Sequence, residues 1–435
     1  MERAFQIITG RLLRYYRENY RHPNGKVGLS IRELSRLNSA RIQEIRAENG
    51  VRLNQKSICS TSRISDIENG QDSMEDYVIE CLASVYARKY LYKEIYWLNL
   101  KKDIQAIVDE MTRMEKEGLA RLNRQLRSQY QKLSHYLVYG EMLEILSAVL
   151  TYLNERVLPK AELQRKMEAL LPTGMLELDS LLLYMKSEYH RKMGQPGVTL
   201  AEIECALGNQ RDFLSLELRF KAYMDHYQVD LAKKTLQMIR ELATYASSPY
   251  LQFIYHNHQA LIYENSCSTQ AVGELQACRK LLESGRLNGC LHVQGRYYHN
   301  LGMHFYAHHQ YANALSMLQK ALKWSPDLVL QAFPYVMDCA ERLELPLAQC
   351  RQLLEWVDFV HMSGFKLEYA KYFRLKYSYD TIGRKEALLL EKFLVENILP
   401  FLDSGLLTYA LFYRQLLILS PLTRHMQYVL QFHEM

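Results

Sequence analysis

Apolar and small residues recur along this chain at the three-and-four spacing of helices, and no run shows the β-branched alternation of a sheet strand. The clearest stretch, YHNLGMHFYAHHQYANALSMLQKALKWSP, runs from Tyr298 to Pro326. It places Tyr298, Leu301, Gly302 and Phe305 on one helix. After a turn, Ala314, Leu318 and Ala321 fall on a second, which Pro326 closes. Gly302 and Ala314 are small where two antiparallel helices must touch, and Phe305 and Leu318 fill the seam. One hairpin of this kind leaves an apolar face open, so neighbours must stack on it.

These eight positions resemble the tetratricopeptide signature at that repeat's own offsets. From residue 136 onward the chain reads as further, more degenerate hairpins. LVYGEMLEILSAVLTYL, MLELDSLLLYMKSEYHRKM and LSLELRFKAYMDHY read as first helices of repeats. IYHNHQALIY superposes without gaps on YYHNLGMHFY, which makes Asn257 and Asn300 equivalent. The expected fold is all-α, with a right-handed α-solenoid of tetratricopeptide-like hairpins over residues 136–435. Residues 91–135 alternate acidic and basic side chains around a thin apolar stripe, the pattern of solvated connecting helices.

Ahead of them, residues 3–20 predict a basic helix with Leu12, Leu13 and Tyr16 on one side and Arg11, Arg14 and Arg17 around the other. HPNGKVG breaks it. LSIRELS (29–35) opens on a capping box, Ser30 with Glu33. In ICSTSRISDIENG (58–70), Ser60 caps a short helix that buries Ile64 and Ile67 and stops at Asn69-Gly70. A last helix, Met74 to Tyr90, completes a helix bundle, and residues 36–57 read as an insertion bulging from it.

This region resembles the Cro/repressor-type helix-turn-helix domain. GRLLRYYREN corresponds to its first helix, LSIRELS to its second and STSRISDIENG to its recognition helix. The resemblance implies duplex DNA as a partner, met by Thr61, Ser62 and Arg63, with Ser60, Asp66, Arg14, Arg17 and Arg32 around them. The long segment before the third helix departs from the family's tight turn, and Ile31 stands where the family often has a polar residue. A rival register takes RIQEIRAENGVRLNQ as the first helix and the start of the second, which leaves the second about a turn short.

Charge sharpens this division. Residues 1–72 hold 13 Lys and Arg against 8 Asp and Glu, while the remainder holds 41 against 40. A polyanion would therefore be met at the front. At 435 residues, 48% of them hydrophobic and 23% charged, the chain has a globular composition and is long enough for a solenoid or two to three domains. Its eight cysteines form no CxxC pair, which suits a reducing compartment. No apolar stretch is long enough for a bilayer, and the N-terminus has no signal-peptide core, so a cytoplasmic protein is expected.

Walker, GxGxxG, GxSxG and HExxH motifs are absent, so neither an enzyme nor a cofactor is expected. His304 and His308 stand one helical turn apart within a histidine-rich stretch, but spacing fixes no third ligand, and no metal is expected. Asn257 and Asn300 point elsewhere. An asparagine amide offers a donor and an acceptor, so repeating it on successive inner helices could grip the backbone of an extended peptide. Arg296, His299 and Met303 would flank Asn300, and His256 would flank Asn257. The competing reading is that these asparagines simply link neighbouring helices.

A Cro-type head at 1–90, connecting helices at 91–135 and a repeat domain at 136–435 together resemble the RRNPP group of cytosolic peptide-sensing regulators of Gram-positive bacteria. The resemblance implies a homodimeric transcription factor whose repeats bind a short re-imported signalling peptide, as in quorum sensing. Two alternatives remain open: an adaptor that binds only proteins, and a Rap-like protein that engages a response regulator without DNA.

Overall fold

Helices account for the regular structure because the apolar positions recur at helical spacing throughout. The computed structural model describes residues 2–22, 25–50, 57–71, 75–193, 197–226, 228–264, 268–288, 290–357, 366–402 and 407–433. Among these residues the chain is all-α: no strand forms, and the β-type pairing consists of two isolated bridges, Arg21 with Val27 and Lys89 with Tyr136. No described helix is long and apolar enough to cross a membrane. Two compact units divide the chain, Met1–Tyr189 with Gly197–Thr244 and His190–Pro196 with Tyr245–Met435.

As far as residue 240 the helices are α1 (Arg3–Glu18), α2 (Ile31–Ser35), α3 (Ala40–Glu48), α4 (Thr61–Glu68), α5 (Asp76–Ser84), α6 (Glu94–Arg113), α7 (Lys116–Leu133), α8 (Leu137–Glu155), α9 (Ala161–Ala169), α10 (Leu176–Lys192), α11 (Leu200–Leu207), α12 (Phe213–Asp225) and α13 (Val229–Arg240). The capping box before α2 is complete. The Ser30 hydroxyl accepts from Glu33 N at 3.1 Å, and the Glu33 carboxylate accepts from Ser30 N at 2.7 Å. That backbone donor, with Lys26 beside it, draws the Glu33 pKa down to about 2. Helix α1 buries Phe5, Ile8, Leu12 and Leu13 and crosses α4 so closely that a methyl group on Gly10 would collide with the Ile67 carbonyl oxygen.

Two expectations are corrected here. Over residues 36–50 the chain does not bulge: Ser39 caps α3, which buries Ile42, Ile45 and Arg46 and packs against α5. Ile42 and Ile45, three residues apart, form an apolar stripe that would be costly to leave in water. Residues 51–56 and Met74 lie outside the described residues. Nor are α6 and α7 solvated connectors. Trp97 is fully buried and its indole N–H donates to Glu2 at 2.7 Å, while α7 lies along α8 with Leu119, Leu122 and Leu126 buried. Asp103 on α6 accepts from Gln125 and Gln129 on α7 at 2.6 and 2.9 Å. The apolar stripe is narrow because the polar residues beside it also pair across the seam.

A buried carboxylate binds the first helix to this body. Glu141 on α8 is fully buried and accepts from the Tyr16 hydroxyl of α1, from Arg88 at 2.6 Å and from Lys166 of α9 at 2.5 Å. The Arg11 guanidinium and the Tyr15 hydroxyl also donate to the carbonyls of Leu170 and Glu162, at 2.8 and 3.1 Å.

The second unit contains α14 (Pro249–Glu264), α15 (Ser268–Glu283), α16 (Leu291–Ala307), α17 (Tyr311–Trp324), α18 (Val329–Arg342), α19 (Leu347–Leu354), α20 (Lys366–Lys376), α21 (Arg384–Asn397), α22 (Leu407–Thr423) and α23 (Met426–His433). Helices α14 with α15 and α16 with α17 form close hairpins. At Gly302 an added Cβ would lie 2.8 Å from Leu318 Cγ, and Ala314 and Leu318 are fully buried. An apolar core runs on through Phe333, Phe373 and Phe412 to Phe432.

Candidate functional site

Helix α4 begins at Ser60, whose hydroxyl accepts from Arg63 N at 3.2 Å and lies 3.0 Å from the Ser62 hydroxyl. Ile64 and Ile67 are fully buried, which turns Thr61, Ser62 and Asp66 to solvent. Gly70 ends the segment at φ 68°, a conformation few other residues adopt without strain. Arg63 is half-buried and pairs with Glu75 at 3.3 Å. Arg32 is exposed on α2, and Arg14 is exposed on α1, where it pairs with Glu18 at 2.9 Å.

Arg17 is placed differently from the other candidate DNA contacts. Its guanidinium makes two bonds to Glu68, of 2.7 and 2.9 Å, and a third to the Leu29 carbonyl at 3.0 Å. Glu68 is 4% exposed, so Arg17 braces α1 against α4 from within and presents no open cation. The sequence placed it on the solvent side because an arginine on a basic helix gives no sign of a partner 51 residues away.

Asn257 and Asn300 meet. Asn300 Nδ2 on α16 donates to Asn257 Oδ1 on α14 at 2.8 Å, and Asn257 is 3% exposed. The geometry thus realises the linking arrangement, in place of two amides standing open side by side. His299 Nδ1 lies 3.3 Å from Asn300 Oδ1, and its Nε2 is buried with no partner among the described residues. Burial lowers the His299 pKa, with the Asn300 bond opposing. His256 is drawn sideways: its Nδ1 lies 2.6 Å from Glu274 of α15. Arg296 and Met303 are half-buried, three residues before and four after His299, and therefore on the same face of α16.

A polar cluster that the sequence reading did not name continues this face. Tyr306, seven residues beyond His299, donates to the buried carboxylate of Asp338 at 2.8 Å. Arg342 and Arg414 converge on the same carboxylate. The i,i+4 spacing of Asp338 and Arg342 was a legible signal, whereas Arg414 lies 76 residues away. His304 and His308 stand with ring centroids 4.3 Å apart. Among the described residues no group of three or more His, Cys, Asp or Glu is gathered to hold a metal.

A cavity of 510 Å³ between α7 and α8, lined by Arg127, Tyr130, Leu143 and Glu144 among others, contains none of the candidate DNA- or peptide-contacting residues. Comparison of the chain with known protein families, with curated proteins and with solved structures returns no match.

Proposed function

We propose that this protein is a cytoplasmic DNA-binding regulator of transcription that responds to a short signalling peptide. In this reading the front of the chain is a Cro-type helix-turn-helix head, and the later helices form a solenoid of tetratricopeptide-like hairpins. The observation that carries it is the attitude of α4. Its rear face is anchored by Ile64 and Ile67, and its first turn offers Thr61, Ser62 and Asp66 to solvent. Short hydroxyls at a helix start suit close approach to phosphate and base edges. The excess of basic over acidic residues in the first 72 positions adds the electrostatic attraction a duplex requires.

For the peptide, the Arg296, His299 and Met303 face of α16 supplies half-buried side chains and an unfilled imidazole valence. The asparagine pair stiffens the floor beneath them. The peptide regulates by linkage: it shifts DNA affinity only as far as it binds the DNA-competent and DNA-incompetent states unequally. Homodimers pair two heads on a two-fold operator.

Capture of sheared genomic DNA by the full chain, with and without an extract of small peptides, tests the head and the peptide surface together. Selective enrichment of a few fragments, altered by the extract and lost in Thr61→Glu, is the expected result. Uniform capture, or none, overturns the reading.

A further inference from the structure

Asp338 on α18 is fully buried and holds two arginines at once. Arg342 Nε donates to Oδ2 at 2.6 Å, and Arg414 Nε donates to Oδ1 at 3.1 Å, with its Nη2 on the same oxygen. Beside it, Glu341 accepts from Lys376 at 2.7 Å, from Tyr377 at 2.9 Å and from Gln415 at 2.7 Å. Two carboxylates therefore face three cations. Tyr306 and Tyr377 do not restore the balance, because burial, with Asp338 and Glu341 adjoining, holds both phenols protonated far above their ordinary range.

One positive charge is thus left over in a cluster largely withdrawn from water, and an anion would complete it. The arginines are placed to receive one. Their side chains are 29% and 27% exposed, while Asp338 fixes both from behind. Among the described residues Arg342 engages only Nε, which leaves both Nη groups, and Arg414 leaves Nη1. The Tyr311 ring, its centroid 4.6 Å from the Arg342 guanidinium, restrains that side chain further.

We infer that Arg342 and Arg414 form a receptor for a carboxylate of the bound peptide, with Asp338 as the positioning residue. The inference rests on the peptide reading of this unit. His299 and Tyr306 share one face of α16 and lie about 10 Å apart along its axis. That distance is about three residues of extended chain. A peptide lying over His299 and Met303 therefore brings a terminal or side-chain acid onto the arginine pair three residues later. Planar guanidinium groups match a carboxylate edge to edge, which a point charge does not.

The test uses the full chain and three libraries of synthetic heptapeptides. One has a free C-terminal carboxylate and no Asp or Glu, one is C-terminally amidated with a single Asp or Glu, and one is amidated with no acid. Retained peptides are quantified by mass spectrometry. At least one acid-bearing library should be retained about tenfold or more above the acid-free one, as a charge-assisted bond implies. Which library wins identifies terminus or side chain as the source. The preference should collapse in the double variant Arg342→Lys, Arg414→Lys, with acid-free peptides held as before. Equal retention of all three libraries by the unmodified protein overturns the carboxylate receptor and leaves peptide sensing standing. An unchanged preference in the double variant overturns its assignment to these arginines. Retention of no library overturns peptide sensing and the receptor together.

Discussion

Arg17 and Glu68 meet through two parallel N–H···O bonds of 2.7 and 2.9 Å, and the carboxylate is 4% exposed. The pair fastens the first helix to the end of α4, so removing one partner strands the other. Arg17→Ala should cost about 3–5 kcal/mol in denaturant unfolding, while a paired Arg17→Met, Glu68→Leu exchange should cost far less. Equal losses in the two proteins would show that the stranded carboxylate is not the source of the cost.

Two glycines should answer alanine in opposite directions. Gly10 faces the Ile67 carbonyl with no room for a methyl group, so Gly10→Ala should destabilise by about 1–3 kcal/mol. Gly273, within α15, has nothing within 4 Å of the position a Cβ would take. Gly273→Ala should stabilise by about 0.5–1 kcal/mol. Thermal unfolding of both variants beside the parent checks the contrast.

The asparagine link can be measured as a coupling. Asn300→Ala removes the donor to Asn257, which is 3% exposed, and should cost about 1–3 kcal/mol. If the bond is the main connection, Asn257→Ala and Asn300→Ala together should cost clearly less than the sum of the single changes. Additive losses would place the importance of these residues elsewhere.

His299 gives a pH dependence. Burial holds its folded pKa below the ordinary value of 6.5, so the folded protein keeps the imidazole neutral. Below pH 6.5 the unfolded chain takes up the proton first. The contribution is therefore complete above pH 6.5 and lost as pH falls toward the folded value. Between pH 7 and 5, the melting temperature of the parent should fall more steeply than that of His299→Leu. Parallel curves would contradict the burial argument.

What the sequence made legible was local. Ser30 with Glu33, Ser60 ahead of Ile64 and Ile67, and the contact of Gly302 with Leu318 all lie within a single helix or hairpin, where spacing alone dictates geometry. Long-range polar pairing was not legible. Nothing near Arg17 announces Glu68, and nothing near Asp338 announces Arg414, because each bond depends on how separate helices pack. The same limit hid the role of residues 39–48. Ile42 and Ile45 could be recognised as apolar, but the face of α5 that receives them could not. Matching the segments around Asn257 and Asn300 could not show that the two amides spend a bond on each other.

The Phe5 ring, fully buried, touches the rings of Trp97 and Tyr139 at centroid distances of 5.3 and 5.8 Å, and Tyr16 ends on Glu141. The N-terminal helices are therefore not a detachable module. Cutting the chain at residue 90 would bare an aromatic socket and leave the Tyr16 and Arg88 side chains without their shared acceptor. A displacement of α8 would therefore disturb both ends of α1, at Phe5 and at Tyr16.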